Sequence, residues 1–381
     1  MAGLYIHIPF CLSRCSYCSF YSTIDTKLKK QYVDALCKEL ALRKDYLLLP
    51  QAGDNNEVRD TSLTTIYFGG GTPSCLTKEE FEQIFSAINL HFNAHLKEIT
   101  IECNPDDITP DYVKTLKHYA NRVSLGIQSF NDNQLKIINR RHSANEAINA
   151  VKLLQREGVS NISVDLIFGF PNETLEDWKN DINQALSLNV QHISAYSLMY
   201  EDGTKLYYLL EKGKIKPISE ELSLRMFDTL VDELVANGYE HYEISNFAKQ
   251  GFRSVHNSNY WRAIPYLGIG ASAHSYDKTS RQWNIANIQQ YIEAINRGEV
   301  PCEKEILDKD TQYNDLITTA LRTKEGICIN DLSPLYADYL MKNSDAFLKN
   351  GTMEKTADNY IKLTRKGLYI SDNIMAELVK V

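Results

Sequence analysis

The sequence predicts an α/β protein: an open barrel of six strand–helix units, followed by a smaller, mostly helical domain. Short apolar, β-branched runs alternate with segments of helical periodicity as far as about residue 200, where the alternation stops. Cysteine, glycine and polar residues stand at or just after the carboxyl ends of the runs. Because these ends converge on one mouth in a barrel, we favour a barrel over a flat, doubly wound sheet.

Each unit of the barrel has a strand signal and a helix signal. The predicted strands are Leu4–Ile8, Thr65–Phe68, Glu98–Glu102, Arg122–Ile127, Ser163–Phe168 and His192–Ser197. The predicted helices are Leu28–Tyr46, Lys78–Leu90, Pro110–Tyr119, Ala144–Gln155 and Leu175–Leu188. Thr77 and Thr109 stand where helix N-caps are expected, the second directly before Pro110. The repeated order predicts parallel strands joined by right-handed crossovers.

The C-terminal part has a different pattern. One long helix is predicted over Glu220–Asn237, with Gly238 as its stop. After Pro301, three short segments have the spacing of a winged-helix-like domain: Tyr313–Arg322, Ile329–Tyr336 and Tyr360–Tyr369. We therefore expect a core barrel at residues 1–235, a connecting segment at 236–300 and a C-terminal domain at 301–381.

Composition excludes several classes of protein. The 381 residues are 43% hydrophobic and 24% charged, as in ordinary globular proteins, and the formal net charge is -8. An acidic chain without a basic stripe is not expected to bind nucleic acid or an anionic membrane. We find neither a signal peptide nor the roughly 20 consecutive apolar residues that a membrane span needs, so we expect a cytoplasmic protein.

Three of the eight cysteines, Cys11, Cys15 and Cys18, lie within eight residues of one another. In a reducing compartment they are not expected to form disulfides. A structural zinc site usually has four ligands in paired knuckles, and no fourth ligand stands close by. Three thiolates suit a [4Fe–4S] cluster in which one iron stays free to bind a substrate. The spacing therefore favours an iron–sulfur cluster over zinc.

CxxxCxxC with an aromatic residue, Tyr17, before the third cysteine resembles the signature of radical S-adenosylmethionine (SAM) proteins. The surrounding motifs resemble the anaerobic coproporphyrinogen III oxidase group within that superfamily: YIHIPFC at residues 5–11, GGGTPS at 69–74, GIQSF at 126–130 and VDLIFGFP at 164–171. The resemblance implies a partial (β/α)6 barrel of the triose-phosphate-isomerase type, with a [4Fe–4S] cluster on Cys11, Cys15 and Cys18 and SAM bound beside it.

The same resemblance implies which residues contact SAM: Tyr5, Tyr17, Gly70, Gly71, Thr72, Glu102, Gln128, Arg140, Asp165 and Met199. Several of these positions also have a physical reason. Glycines after a strand allow close approach of the backbone to a ligand. Glu102 at a strand end suits the ribose hydroxyls or the ammonium group, and Arg140 suits the SAM carboxylate. At Met199 the residue differs from that of the oxidases.

Two departures separate the chain from the oxidases. The oxidase pattern continues to a further cysteine, and Phe20 stands at that position. The first cluster cysteine is residue 11, so we expect no sizeable N-terminal segment over the substrate site. Both features resemble the neighbouring heme chaperone family, HemW. That family carries an HNxxYW element, and HNSNYW stands at residues 256–261.

The resemblance makes His256 a candidate heme ligand, since a neutral imidazole binds heme iron and flanking aromatic residues suit a flat macrocycle. The alternative is a loop histidine bonded to the backbone, with Tyr260 and Trp261 packed in a core. His274, in the motif GIGASAH at residues 268–274, is a second and weaker heme candidate.

Two functions remain open. The first is a chaperone that binds heme and delivers it to respiratory hemoproteins. The second is an oxygen-independent oxidase that uses SAM to convert propionates of coproporphyrinogen III into vinyl groups, with the cofactors supplying the difficult chemistry. Either needs an electron donor such as flavodoxin or ferredoxin, and a homodimer is compatible with the sequence.

Overall fold

The computed structural model describes residues 2–48 and 62–380. Six strands pair in parallel and in chain order, as predicted. They are β1 (Ala2–Ile8), β2 (Leu63–Gly70), β3 (Ala94–Cys103), β4 (Arg122–Gln128), β5 (Ile162–Phe168) and β6 (His192–Ser197). The predicted strands are thereby confirmed, and β2 and β3 are longer than the apolar runs that predicted them.

Helices connect consecutive strands of this sheet: α1 (Lys29–Leu42), α2 (Lys78–His91), α3 (Pro110–Tyr119), α4 (Asp132–Ile137), α5 (Ala144–Arg156) and α6 (Leu175–Ser187). The side chain of Thr77 caps α2 by accepting from Glu80 N, and Thr109 caps α3 by accepting from Tyr112 N. Both predicted starts are confirmed. The short helix α4 was not predicted, because six residues are too few to show a helical period.

The sheet continues on both sides of the six parallel strands. After α7 (Lys205–Glu211) and α8 (Glu220–Ala236), β7 (Glu240–Glu243) and β8 (Asn246–Ala248) extend it beyond β6. After α9 (Val255–Trp261), β9 (Tyr266–Ile269) pairs parallel with β1. Three antiparallel strands then follow β9, with α10 (Ile288–Asn296) before the last: β10 (His274–Tyr276), β11 (Ser280–Asn284) and β12 (Cys302–Ile306).

Within residues 2–48 and 62–380 the resulting sheet has twelve strands, in the order β12-β11-β10-β9-β1-β2-β3-β4-β5-β6-β8-β7. Its two outermost strands are not hydrogen-bonded to each other in the part of the chain that is described, so the barrel is open. The sequence did not predict the flanking strands, because each has only three to five residues, which is too short for a clear strand pattern.

The C-terminal residues have an apolar core of their own, which includes Ile317, Leu321, Leu340, Ile361 and Ile374. Their elements are α11 (Lys309–Ala320), β13 (Ile327–Cys328), α12 (Pro334–Lys349), β14 (Met353–Lys355), β15 (Tyr360–Leu363), α13 (Arg365–Leu368) and α14 (Ser371–Leu378). Helices around a three-stranded antiparallel sheet give the expected winged-helix-like arrangement.

One expected C-terminal segment was misplaced. The second helix begins at Pro334 and runs to Lys349, whereas the sequence suggested Ile329–Tyr336. Pro334 stands at the first helical position, where proline is common. The apolar spacing instead suggested a start five residues earlier. None of the helices described is long and apolar enough to cross a membrane.

The two faces of the parallel sheet differ in polarity. Leu4, Ile6 and Ile8 alternate along β1 and belong to the main apolar core between the sheet and the surrounding helices. The residues between them, Tyr5 and His7, face the barrel interior, where they hydrogen-bond to each other. Burying polar groups is costly unless they are paired. The polar residues inside the barrel therefore indicate a ligand-binding site there.

Candidate functional site

A cavity of about 460 Å³ opens at the carboxyl ends of the parallel strands, which form the mouth of the barrel. Its volume lies in the range typical of small-molecule sites. Twelve of the fifteen candidate cluster, SAM and heme residues line it: Cys11, Cys15, Tyr17, Cys18, Gly70, Gly71, Thr72, Glu102, Gln128, Arg140, Asp165 and Met199. Tyr5, His256 and His274 do not. Residues far apart in the chain thus meet at one mouth, as a barrel requires.

Residues 10–24 form the cluster loop, which is fastened at both ends. Cys11 N donates to Thr23 O at 2.9 Å, and Thr23 N donates to Pro9 O at 2.7 Å. In the middle of the loop, Ser16 N donates to Ile138 O at 2.9 Å, just after α4. These backbone bonds hold the three cysteines over the mouth of the barrel without help from regular secondary structure.

The three thiols are unpaired in any disulfide, partly exposed and close to hydrogen-bond donors. Thr72 Oγ1 donates to Cys11 Sγ at 3.4 Å, and Arg140 Nη1 donates to Cys15 Sγ at 3.4 Å. Donors to sulfur and a cationic neighbour suit thiolates that bind a cluster. Burial raises the pKa of the Cys11 and Cys18 thiols, so without iron these two thiols are protonated at neutral pH.

No group of three or more His, Cys, Asp or Glu side chains is arranged to hold one metal ion in residues 2–48 and 62–380. A [4Fe–4S] cluster needs its cysteines farther apart than a single ion does, because each thiolate binds a separate iron. The three cysteines therefore fit a multi-iron group in their chemistry, and the predicted cluster stays a prediction.

The glycine triplet brings backbone close to the cluster loop. Gly70 has a φ of +109°, and a Cβ there would lie 2.6 Å from His7 Cε1. A Cβ at Gly71 would lie 2.8 Å from the carbonyl carbon of Pro9 and 3.0 Å from Cys11 Sγ. Both positions therefore require glycine, the first for its backbone conformation and the second for space. The space that they leave is next to a predicted cluster ligand.

Two partly buried carboxyl groups form the floor of the cavity. Tyr67 donates its hydroxyl hydrogen to Glu102 Oε1 at 2.7 Å, and burial raises the pKa of Glu102 to about 7. Ser124 donates to Asp165 Oδ2 at 3.3 Å, and burial raises the pKa of Asp165 as well. Carboxylates that retain unused acceptor positions can hold ribose hydroxyls or an ammonium group. The floor thus fits the polar parts of SAM.

Arg140 connects the cluster loop to the cavity wall. Nη2 donates to Asn104 Oδ1 at 2.8 Å and to the carbonyl of Gly126, while Nη1 reaches Cys15. Its Nε is buried and has no partner among the described residues. A buried, unsatisfied guanidinium nitrogen is uncommon and points to a missing acceptor, such as a ligand carboxylate. This observation supports the role that the resemblance implied for Arg140.

Gln128 adds an unusual backbone conformation at the same wall. It ends β4 with a φ of 71°, in the left-handed region that residues other than glycine rarely adopt. Gly126, two residues earlier, has no Cβ, and an added one would lie 2.9 Å from Gln128 Nε2. Such strain persists when the surroundings hold it in place, and it is common at ligand sites. This backbone conformation directs the side-chain amide of Gln128 into the cavity.

Tyr5 lies below the cavity rather than in its lining. His7 Nε2 donates to the carbonyl of Tyr21 at 3.0 Å, so Nδ1 of the neutral ring is an acceptor and receives the Tyr5 hydroxyl at 3.1 Å. Tyr5 therefore supports the cluster loop through His7. Met199 lies at the opposite edge of the mouth with 65% of its surface exposed. Contact with SAM at either position stays a prediction.

His256 does not line this cavity; its ring centroid lies 5.1 Å from that of Tyr67, which donates to Glu102 on the cavity floor. The alternative to heme binding placed His256 in a loop, but the residue belongs to the helix α9. It is 1% exposed. Thr65 Oγ1 is 2.8 Å from its Nδ1 and the Tyr260 hydroxyl is 2.9 Å from its Nε2. Burial lowers its pKa to about 3, so the ring is neutral. In this conformation heme cannot reach either nitrogen, and ligation by His256 would require α9 to leave the barrel.

Some residues of the site gave no usable signal in the sequence. Tyr67 and Ser124 stand within apolar runs, where tyrosine and serine are read as core residues. Their hydroxyls face inwards only because the strands alternate. Asn104, which precedes Pro105 and binds Arg140, did have a signal: a polar residue at the carboxyl end of a strand.

Comparison with known proteins agrees with this geometry. The model of the radical SAM superfamily matches residues 5–185. The Lactococcus lactis protein named heme chaperone HemW is 33% identical over 98% of this chain and 96% of its own length. The Bacillus subtilis protein of the same name is 32% identical over 98% of both chains. The chain belongs to the HemW family of radical SAM proteins.

Among solved structures, the HemW-family fold seen here is similar to that of the coproporphyrinogen III oxidase HemN from Escherichia coli, a radical SAM enzyme. The TM-score is 0.81, and the match covers 100% of this chain and 90% of that one at 22% identity. At this identity the likeness establishes the fold alone. It extends over the barrel and the C-terminal residues together, which agrees with the fold class expected from the sequence.

Proposed function

We propose that this HemW-family protein is a heme chaperone, which binds heme and delivers it to respiratory hemoproteins. The observation that carries the proposal is the similarity to proteins named heme chaperone HemW over practically the whole chain, at 33% identity for the Lactococcus lactis protein. The relatives align over the barrel, the HNxxYW element and the C-terminal residues, whereas the superfamily model matches only residues 5–185.

Phe20 supports a chaperone over an oxidase. It stands where the oxidase pattern has its additional cysteine, it lines the cavity, and 68% of its surface is exposed. A thiol at the edge of a radical site can provide a ligand or a hydrogen atom, and a phenyl ring can provide neither. An exposed aromatic ring instead offers an apolar surface on which a flat macrocycle can pack.

The cofactors proposed are a [4Fe–4S] cluster, SAM and heme. Cys11, Cys15 and Cys18 would hold the cluster; Glu102, Gln128, Arg140 and Asp165 would orient SAM, and Tyr17, Gly70, Gly71, Thr72 and Met199 would border it. A reduced cluster, when bound, supplies an electron to the sulfonium of SAM. We further propose a cytoplasmic protein, reduced by flavodoxin or ferredoxin and able to form a homodimer.

The oxidase alternative is favoured by one observation. The cavity keeps two partly buried carboxyl groups, a partly buried arginine and the cluster loop, which is more than a passive carrier of heme needs. A protein with this equipment can still cleave SAM. Under this second proposal the substrate would be coproporphyrinogen III, and the radical derived from SAM would remove hydrogen from a propionate side chain.

One experiment separates the two functions. The cluster is reconstituted without oxygen, and reductant, SAM and coproporphyrinogen III are added while porphyrins and 5′-deoxyadenosine are measured together. We expect a bound cluster and no vinyl-bearing product. Formation of that product at the rate of SAM cleavage would establish the oxidase and refute the chaperone proposal. Transfer of heme from the loaded protein to an apo-hemoprotein is the positive test.

A further inference from the structure

Two large apolar side chains of the cluster loop are exposed without bordering the cavity. Leu12 and Ile24 are 57% and 65% exposed, and neither lines the mouth of the barrel, whereas the exposed Phe20 does. A ligand inside the cavity would therefore leave both aliphatic side chains in water. Large apolar groups that stay exposed beside one another are typical of surfaces that bind another protein.

Leu12 and Ile24 lie close together because the two ends of the cluster loop run side by side. Phe10 pairs with Thr23 in a parallel bridge, and Cys11 N donates to Thr23 O at 2.9 Å. Leu12 and Ile24 are the residues that directly follow the two joined by this hydrogen bond. One of those two is Cys11, a proposed cluster ligand, so the apolar pair adjoins the proposed cluster site from outside the cavity.

The same stretch of chain is basic, although the protein as a whole is acidic. Residues 11–30 contain four basic residues and one acidic residue, in a chain with a formal net charge of -8. Lys27 and Asp25 are both exposed and lie 4.0 Å apart, and a surface pair of this kind contributes little. Arg14 and Lys30 are also exposed, and neither forms an ion pair in the described part of the chain. Positive charge is thus available just after each member of the apolar pair.

Helix stability does not explain both lysines at the start of α1. This helix begins at Lys29, and it has neither an acidic residue in its first turn nor a side-chain cap. Cations at this end are unfavourable, because it is the positive end of the helix dipole. Lys29 has a structural role, since its Nζ lies 2.8 Å from Glu80 and donates to the carbonyl of Cys75 at 2.6 Å. The exposed Lys30 has no such contact, so its charge is available to an external partner.

We infer that Leu12, Ile24, Lys27 and Lys30 form a docking surface for a small acidic electron-transfer protein with a bound flavin or iron–sulfur group. The inference rests on the proposed cluster and on its proposed reduction by flavodoxin or ferredoxin. A donor on this surface would contact the loop beside Cys11 without entering the cavity. The donor loses one electron and the cluster gains it, and no bond of the protein forms or breaks. Basic side chains steer an acidic partner, and a small apolar contact suits the limited interfaces of electron transfer.

The first test is a titration of the full-length protein, without reconstituted cluster, with a purified flavodoxin at low ionic strength. Wild type is compared with Lys27→Glu/Lys30→Glu and with the control Lys97→Glu/Lys152→Glu. The control changes the net charge equally on exposed lysines of β3 and α5. We expect the first variant to bind about tenfold more weakly and the control to stay within about twofold of wild type. At roughly 0.5 M salt, where charges are screened, the difference should disappear.

The second test follows the absorbance of the anaerobically reconstituted protein after mixing with reduced flavodoxin or with dithionite. Ile24→Ser leaves all charges in place, and Leu90→Ser on α2 is its control, since Leu90 is 76% exposed. We expect Ile24→Ser to slow reduction by flavodoxin about threefold or more and to leave reduction by dithionite unchanged, because dithionite needs no docking surface. Leu90→Ser is expected to match wild type with both reductants.

The outcomes are distinguishable. Selective weakening in Lys27→Glu/Lys30→Glu and in Ile24→Ser supports the docking surface. If these variants match wild type, or if both charge variants weaken binding equally, the docking surface is refuted. If flavodoxin does not bind, and these residues instead bind an apo-hemoprotein or a second copy of the chain, the assignment of the partner is wrong. If no cluster can be reconstituted, the proposed cofactors fail and the inference with them, whereas failure to transfer heme refutes the chaperone function alone.

Discussion

Glu98 on β3 accepts the backbone N–H of His256 on α9 at 2.9 Å, across 158 positions of sequence. The same carboxylate accepts from Val255 N at 2.8 Å, and it is only 3% exposed. Glu98 stands four residues before Glu102 on one strand, on the same inner face. The barrel thus has a cavity at one end and α9 at the other, and the HNxxYW element closes the end away from the cavity.

The first prediction concerns this closure. Glu98→Ala leaves two buried N–H groups at the start of α9 without acceptors, and each lost partner costs about 1–3 kcal/mol. We expect the free energy of unfolding to fall by about 2–4 kcal/mol, measured by denaturant titration followed by tryptophan fluorescence. Glu98→Gln keeps one acceptor oxygen and should lose about half as much. Equal stability of Glu98→Ala and wild type would show that α9 is held by other contacts.

The second prediction is a pH dependence caused by Glu102. Burial raises its pKa in the folded protein to about 7, above its ordinary value of 4.5. Between these two values the folded state holds a proton that the unfolded state has released, so the free energy of unfolding falls as the pH rises through this range. In the cofactor-free protein we expect about 1–3 kcal/mol from this group between about pH 5 and about pH 8.

The measurement for Glu102 is a difference between variants. In Glu102→Gln an amide oxygen can still accept from Tyr67, and the titrating group is gone. The loss of stability with rising pH should therefore be smaller in this variant than in wild type. The exposed Glu176→Gln is the control and should follow wild type. Parallel stability curves for Glu102→Gln and wild type would contradict the raised pKa.

The barrel was predictable because its sequence signals are local and redundant. Thr77 forms a capping box with Glu80 at the start of α2, and β-branched runs mark each of the parallel strands. Gly70 and Glu102 were expected to converge because they stand near carboxyl strand ends, and they line one cavity. Asp165 was expected there for the same reason, but it lines the cavity from the middle of β5. These residues are distant in sequence, and the parallel arrangement of their strands brings them close together in space.

Other features depend on tertiary contacts and left no local signal. The HNxxYW residues lack an apolar period, and α9 forms because Glu98 and Ser254 satisfy its first N–H groups. β10 has three residues and exists only as part of a ladder with β9 and β11. The motif made His256 a heme candidate, and only the structure shows that it is buried with both nitrogens hydrogen-bonded, to Thr65 and Tyr260.

The third prediction tests the proposed cluster ligands. Cys15→Ser removes one thiolate and the acceptor of Arg140 Nη1, and a cluster with only two thiolates should not survive anaerobic gel filtration. We expect iron and sulfide to fall to background and the charge-transfer absorbance to disappear. Cys37→Ser is the matched control, because Cys37 is also partly exposed but lies in α1, outside the cavity. Retention of a full cluster in Cys15→Ser would refute the assignment.

The fourth prediction compares two glycines that share a positive φ and differ in their surroundings. Gly70 and Gly158 have φ values of +109° and +84°; a Cβ at Gly70 would collide with the His7 ring, and one at Gly158 would meet nothing within 4 Å. Gly158→Ala should therefore cost only the backbone strain, about 1–2 kcal/mol. Gly70→Ala adds displacement of His7, which holds the cluster loop through Tyr21 O.

We expect Gly70→Ala to unfold at a denaturant concentration clearly below that of Gly158→Ala, and to lose reconstituted iron faster on dilution. Both effects follow because a moved His7 gives up its bond to the cluster loop and that of Tyr5 to Nδ1. Denaturant titration measures the first effect and the time course of absorbance after dilution the second. If the two variants behave alike, the contact between Gly70 and His7 does not position the loop.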